Sequence, residues 1–223
     1  VEIIKAVIFD WDGTLADTKR AVIQSFQKVL SKAGCRVNDE FIERRMGIGT
    51  KKTIIEAFKE CHVIFDVLTL EKLAKEKIRI QAELTDDVKL FDGVTEFLDA
   101  LKGRIKIGLA TMSSRKVVKK LLPEKRINKY FDVVVTADDI VKSKPDPEIF
   151  LVSALKLGVK PGDCIVVEDS VFGVKSAKAA GMKCIAVSSG AYSREELEKE
   201  NPDFTINSFD DKEKALNFIF NKK

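Results

Sequence analysis

Five short apolar runs limit the folds open to this chain: Lys5 to Phe9, Ile105 to Ala110, Phe131 to Thr136, Cys164 to Val167 and Lys183 to Val187. From about residue 90 onward these runs alternate with helical patterns. Ser114 to Leu122 reads as a helix stopped at Pro123. Pro147 to Leu157 has Pro in its first turn and Gly158 at its end, and Val171 to Ala180 is closed by Gly181. Strands that are continuously apolar, rather than alternating, are buried on both faces. The pattern therefore predicts an α/β fold with a doubly wound, Rossmann-like parallel sheet.

Residues 16–88 differ. Val22, Phe26, Val29, Leu30 and Ala33 keep helical spacing up to Gly34, and Phe41 to Arg45, Lys51 to Lys59 and Thr69 to Leu84 also read as helices. No strand is evident there. The reading is an all-α insert of about 70 residues, a size that suits a small domain. The predicted division is a catalytic core of residues 1–15 and 89–223 and a helical cap of residues 16–88. Such an insert lies over the carboxyl ends of the strands, where open α/β sheets bind ligands.

Composition excludes several classes of function. The 223 residues are 45% hydrophobic, enough for a sizeable core. Net charge is +4, with 39 basic residues set against 35 acidic ones and interleaved, as in Lys116 to Lys120 and Glu195 to Glu200. No basic cluster is interleaved with aromatics, so no nucleic-acid partner is expected. Cys35, Cys61, Cys164 and Cys184 show no CxxC spacing, and with His62 the only histidine there is no zinc-ligand set. Cys164 and Cys184 lie in apolar runs and read as buried thiols. The first run, with Glu2 and Lys5, reads as a short strand and not a secretion signal. No apolar stretch approaches the about 18 residues of a membrane span. The expectation is a soluble, reduced, cytoplasmic protein, a monomer or weak homodimer.

The chemistry is concentrated in four segments at the carboxyl ends of predicted strands. Asp10-Trp11-Asp12-Gly13-Thr14 follows the first run directly. Two carboxylates so close at the end of a buried strand repel each other and are costly to desolvate, unless a cation or phosphoryl group lies beside them. Gly13 allows the turn through which the backbone approaches a ligand. Thr111 follows the second run, Lys144 lies in Ser143-Lys144-Pro145-Asp146-Pro147, and Glu168-Asp169-Ser170 follows the fourth. Phosphoryl transfer needs such groups: an attacking carboxylate, a proton carrier, a cation and donors for the equatorial oxygens. Asp10 suits the nucleophile and Asp12 the acid/base. Asp10 and Asp169, with a backbone carbonyl near Asp12, suit an all-oxygen Mg²⁺ shell. Thr111 and Lys144 suit the phosphoryl oxygens, and the N–H groups of the turn through Gly13 and Thr14 suit an anion nest. Each segment alone has a plainer role: Asp-x-Asp-Gly as a surface turn, Thr111 or Glu168-Asp169 as helix caps, Lys144 as a solvated loop lysine. The four in order favour the chemistry.

These four motifs, in this order and across the whole chain, resemble the haloacid dehalogenase superfamily of phosphotransferases, and the insert resembles that family's helical cap of the first type. The resemblance implies Asp10 as nucleophile, Asp12 as general acid/base, Thr111 as phosphate ligand, Lys144 as charge stabiliser, Asp169 as metal ligand and Glu168 as a residue orienting the metal site. The implied metal set is thus Asp10, Asp12, Glu168 and Asp169. Glu168-Asp169-Ser170-x-x-Gly173-Val174-x-x-Ala177-x-x-Ala180-Gly181-Met182 is similar to the sugar-phosphatase and β-phosphoglucomutase-like branch. Both family carboxylates are present, which disfavours a dehalogenase or phosphonatase.

In the cap, Arg44-Arg45-Met46-Gly47-Ile48-Gly49-Thr50-Lys51-Lys52 is the candidate specificity loop, with Arg45, Gly47 and Lys51 as candidate substrate contacts. A basic turn facing solvent is the plainer alternative. Mutases of the family carry an Arg shortly after the corresponding glycine. Gly49-Thr50 stands here, which argues against mutase activity, and Gly47-x-Gly49 resembles phosphoglycolate-phosphatase caps. His62 reads as a surface or cap-packing residue, and Trp11 as packing rather than a pocket wall. The expected function is Mg²⁺-dependent hydrolysis of small phosphorylated metabolites, sugar phosphates or phosphoglycolate-like, through an aspartyl-phosphate. The alternatives are a β-phosphoglucomutase-like phosphomutase and, from another class, a phospho-Asp switch module.

Overall fold

The structure, a computed structural model, describes residues 3–86 and 88–221. Glu2, expected in the first strand, lies outside them. Six parallel strands form the central sheet: β1 (Ala6–Phe9), β4 (Lys106–Ala110), β5 (Val133–Val135), β6 (Cys164–Glu168), β7 (Lys183–Val187) and β8 (Phe204–Ile206), in the order β5-β4-β1-β6-β7-β8. The chain winds outward from β1 in both directions, so the switch point of the sheet falls between β1 and β6. Ile8 pairs with Gly108 on one side and Val166 on the other.

Successive strand residues point to opposite faces, so the apolar runs supply two cores at once. Val7, Phe9, Ile107, Leu109, Ile165 and Val167 pack under α5 (Val94–Leu101), α6 (Arg115–Glu124) and α10 (Lys212–Ile219). Ala6, Ile8, Ala110, Val166 and Cys184 pack under α7 (Glu148–Leu157) and α8 (Val171–Ala179). At Gly108 a Cβ would lie 3.2 Å from Leu157 Cδ1, so α7 rests directly on the sheet there. A short α9 (Arg194–Glu198) follows β7.

Between β2 (Ala16–Asp17) and β3 (Lys89–Leu90), which pair antiparallel, lie four helices: α1 (Lys19–Lys32), α2 (Asp39–Glu43), α3 (Thr50–Glu60) and α4 (Val67–Glu83). They enclose an apolar cluster of their own, built from Val22, Phe26, Leu30, Ile54, Phe58 and Leu73 among others. The fold is thus the expected doubly wound α/β core with an inserted all-α cap.

Four details differ from expectation. Residues 16–88, expected to hold no strand, begin with β2, which pairs Ala16 with Leu90 and Asp17 with Lys89. Helix α6 continues through Pro123 to Glu124, because Val117, Val118, Leu121 and Leu122 are buried and Lys125 N closes the end on Leu121 O. β5 is shorter than Phe131 to Thr136: Asp132 turns its carboxylate to Ile107 N at 2.8 Å, and Thr136 caps the following turn. Cys35 and Cys61, expected as thiols, form a disulfide, since the ends of α1 and α3 bring their Cα atoms to 5.4 Å. Cys164 and Cys184 are buried free thiols. No helix among the described residues is long and apolar enough to cross a membrane.

Candidate active site

Three neighbouring strands of the sheet end in the predicted residues. Asp10 follows β1, Thr111 follows β4, and Glu168 ends β6 with Asp169 just after it. Parallel register fixes them: Asp10 N bonds Val167 O at 3.0 Å, and Thr111 N bonds Val135 O at 3.0 Å. Lys144 enters from the loop between β5 and α7. Its ammonium, 0% exposed, donates to Asp10 Oδ1 at 2.7 Å and to Glu168 Oε1 at 2.5 Å. Burial alone would depress this lysine, but the two carboxylates overcome that and hold it above its ordinary value.

Glu168 is fully engaged. Its Oε2 accepts from Asp169 N, Ser170 N and Ser170 Oγ, each at 3.0 Å. Gly173 makes room for it, since a Cβ there would fall 1.8 Å from the Glu168 carboxyl carbon. Asp169 Oδ1 accepts from Thr14 Oγ1 at 2.7 Å, and its Oδ2 lies between Gly13 and Gly190, where Cβ atoms would sit 2.3 and 1.8 Å away. Gly13 also has φ of +87°, so glycine is required at this turn twice over. The plainer readings are displaced: Ser114 caps α6 and Ser170 caps α8, which leaves Thr111 and Glu168-Asp169 to the site.

Asp10, Glu168 and Asp169 offer oxygens within 4.8 Å of one another. Burial pushes the Asp10 carboxyl up to about 8; Lys144 pulls it down, while Glu168 and Asp12 add to the rise. Burial, then the Glu168 and Asp10 charges, hold Asp169 well above the usual carboxylate range. One ammonium therefore does not neutralise the cluster. The contacts described use Oδ1 of Asp10 and Oδ1 of Asp169, and an all-oxygen set with surplus negative charge fits a hard divalent cation.

Asp12, expected in the metal set, is not part of this cluster; its carboxylate has partners of its own. Thr18 Oγ1 donates to its Oδ1 at 2.7 Å, and Ser113 Oγ and Thr111 Oγ1 donate to its Oδ2 at 2.7 and 3.1 Å. Asp12 forms one wall of a small cavity of about 30 Å³ beneath the cap. The cations predicted to reach that space are differently employed. Arg45 lines it, but its guanidinium bonds Glu56 Oε2 at 2.7 Å and lies 3.5 Å over the Phe41 ring. Lys51 is tied to Glu71. Gly47 does line the cavity, and a Cβ there would lie 3.4 Å from Ser170 Oγ. Trp11 is core, and His62 is exposed.

One cation that sequence reasoning missed does line the cavity. Lys77 of α4, 4% exposed, donates to Gln81 Oε1 at 2.6 Å and sits 4.3 Å over the Phe26 ring. Burial lowers it to about 8, with Asp12 opposing. The signal was present: Lys77 occupies the apolar stripe Leu70, Leu73, Ala74, Ile80 of its own helix, a position where an unpaired cation has no packing reason to be. Thr18 and Ser113 were also missed.

With the geometry established, comparison with known proteins places the chain. Residues 7–187 match the haloacid dehalogenase-like hydrolase family. The chain is 34% identical to a phosphorylated carbohydrates phosphatase of Thermotoga maritima, covering 82% of this chain and 84% of that one. It is 32% identical to a fructose-1-phosphate phosphatase of Escherichia coli, covering 81% and 95%. A crystal structure of β-phosphoglucomutase from Clostridium difficile superposes with a TM-score of 0.86 at 28% identity, covering 99% and 98%.

Proposed function

Since the chain belongs to the haloacid dehalogenase-like hydrolase family and is a phosphoric monoester hydrolase, we propose that it is a cytoplasmic, Mg²⁺-dependent phosphatase of small phosphorylated sugars and related metabolites, acting through an aspartyl-phosphate at Asp10. The observation that carries this reading is the contrasting setting of two carboxylates: Asp10 rests on an ammonium, Asp12 among three hydroxyls.

Asp10 and Asp169 would hold the cation, which would neutralise charge between Asp10 and the incoming phosphate, while Glu168 fixes Lys144 and the start of the segment after β6. A carboxylate oxygen of Asp10 forms a bond to phosphorus while the ester P–O bond breaks in line. Asp12 gives its proton to the leaving alcohol oxygen. It then takes a proton from water as the water oxygen attacks phosphorus and the Asp10–phosphorus bond breaks, which returns Asp10 and releases phosphate. Lys144 holds Asp10 in place, and Thr18, Thr111 and Ser113 keep Asp12 aimed at the cavity. Residues 16–88 act as a cap that excludes bulk water from the attack, and Lys77 with Gln81 reads the hydroxyls of the leaving alcohol.

The likeness to a β-phosphoglucomutase favours one second reading, return of the phosphoryl group to a sugar. Gly49-Thr50, in the stretch where the family's mutases carry Arg, favours water. Phosphate release from a panel of sugar phosphates and phosphoglycolate, with Mg²⁺ and with chelator, tests the proposal. Metal-dependent release is the expected result. Conversion of a hexose 1-phosphate to its 6-phosphate without net release would replace it with the mutase reading.

A further inference from the structure

The charge of this chain is unevenly placed. Residues 102–129 hold ten of its 39 basic residues and one, Glu124, of its 35 acidic ones. Once those are subtracted, the rest of the chain is acidic overall, with 34 carboxylate side chains against 29 bases. The net charge of +4 therefore conceals a cationic segment on an otherwise anionic molecule.

The fold gathers that segment into one face. Lys116, Lys119 and Lys120 run along the exposed side of α6, Arg126 follows its end, and Lys129 lies in the turn Asn128–Tyr130. Lys102 Nζ donates to Tyr130 O at 3.1 Å, which brings the end of α5 against that turn. Several of these bases have uncharged partners: Lys120 bonds Ala82 O, Lys125 bonds Thr85 O, and Arg104 lies 3.8 Å over the Phe220 ring. Such contacts hold the side chains and leave their charges uncancelled. Among the described residues, no carboxylate pairs with Lys116, Lys119, Arg126 or Lys129. The neighbouring acids are engaged elsewhere: Asp99 accepts from Tyr130 Oη at 2.6 Å, Asp132 from Ile107 N at 2.8 Å, and Glu83 pairs with Arg79. By contrast, Lys175 and Lys178 on α8 meet Glu200 and Asp203. Arg126 also holds a left-handed backbone, φ +58°, where glycine would end the helix without strain.

We propose that this face binds the phosphate backbone of a nucleic-acid duplex, without regard to sequence. Among the described residues, no large apolar side chain is exposed within 102–129. A protein partner would therefore find no apolar anchor to bury, and a membrane would receive nothing to insert. Tyr130, the aromatic residue of the turn, is buried, so no ring is offered for stacking on a base. The absence of interleaved aromatics argues against single strands for that reason, and not against a duplex backbone. A duplex carries one charge per about 1.7 Å of axis, so the length of α6, about 15 Å, faces enough phosphates to engage every free cation. α6 begins just after Ser113, which holds Asp12, and ends before β5. Arg126 and Lys129 thus lie at the end of the sheet remote from the catalytic residues, and a duplex bound there leaves the cap free.

The test is fluorescence anisotropy of a labelled DNA duplex titrated with the full chain at several salt concentrations. Four free cations predict a log–log slope of affinity against salt of about −4, and affinity about a hundredfold weaker at about 200 mM salt than at about 50 mM. Lys116→Gln combined with Lys119→Gln removes two phosphate contacts and brings the slope to about half. Arg126→Gly, a change its backbone accepts without strain, reduces the slope by about one. These side chains are exposed, so the variants keep the fold. No binding at about 50 mM salt, or a slope that either variant leaves unchanged, would overturn the proposal. Equally tight binding to polyglutamate, or to phosphatidylserine vesicles, would overturn it in favour of an acidic protein or an anionic membrane. The binding readout does not use turnover, so its outcome stands apart from the phosphatase reading.

Discussion

Two buried lysines, one in the core and one in the cap, meet opposite fates. Lys144 is caged by Asp10 and Glu168, and its charge is held on above the ordinary lysine value. Lys77 has an amide and an aromatic face for company and is lowered by burial to about 8. The core lysine is a finished part of the machine, with its countercharges already in place. The cap lysine is an incomplete one, and a substrate bearing hydroxyl or anionic groups would complete it. On the proposed function, chemistry and specificity are divided between a site whose charges are matched in advance and one whose charge awaits its partner.

The largest expected effect lies on the core side. Lys144→Ala leaves Asp10 and Glu168 as uncompensated buried charges, and removing one partner of a buried pair costs about 3–5 kcal/mol. Urea unfolding of this variant is expected to show that loss, together with turnover reduced about a thousandfold or more. A variant of near-normal stability and activity would erase the contrast between the two lysines.

Lys77→Met reverses the expectation. It removes a buried charge with no carboxylate in contact, so stability is unchanged or higher. KM for sugar phosphates rises about tenfold while kcat changes little, as for loss of a binding contact. The pH dependence sharpens this. The folded value near 8 lies below the ordinary 10.5, so the cation is present below pH 8 and lost above it. kcat/KM is expected to fall as pH passes through about 8, and Lys77→Met is expected to lack that limb. The linkage has the matching sign. Between pH 8 and 10.5 Lys77 is more protonated in the unfolded chain than in the folded one, so its own contribution to stability climbs with pH in that window, and that contribution is absent from the variant.

Smaller effects follow from how the cap is tethered. Tyr192 OH donates to Arg44 O at 2.5 Å, and the Arg44 guanidinium lies 4.5 Å over the Tyr192 ring and pairs with Glu196 at 2.7 Å. These contacts join the candidate specificity loop to the segment after β7. Tyr192→Phe keeps the ring and loses one hydrogen bond, worth about 1 kcal/mol. A KM increase of a few fold, with the reaction at Asp10 unimpaired, is expected in steady-state kinetics. Reduction of the Cys35–Cys61 disulfide, which closes a separation of 26 residues within the cap, is expected to lower Tm without moving kcat.

Much of the core site was legible in the sequence because its cues are local. Each of Asp10, Thr111 and Glu168-Asp169 ends an apolar run, and a parallel sheet gathers such ends together. The helices of the insert were legible from their spacing. The cap's contacts were not, because they depend on which helices face one another. Arg45 and Lys51 looked free, but Glu56 and Glu71 lie close enough in the folded cap to occupy them. The Cys35–Cys61 pair follows from the crossing of α1 and α3 and carries no motif. The ribbon of β2 and β3 is two residues a side, too short for any periodicity. Lys77 alone left a trace, a charge on an apolar stripe.

The most direct test of the central claim is to trap the covalent step. The enzyme is mixed with a sugar phosphate and Mg²⁺, quenched in acid within a single turnover, reduced with borohydride and digested for mass spectrometry. The prediction is reduction of the side chain at position 10 to the alcohol, dependent on substrate and absent from Asp10→Asn, which also fails to turn over. Sustained turnover with an unmodified Asp10, or a phosphoryl label on another residue, would contradict the assignment of Asp10 as nucleophile.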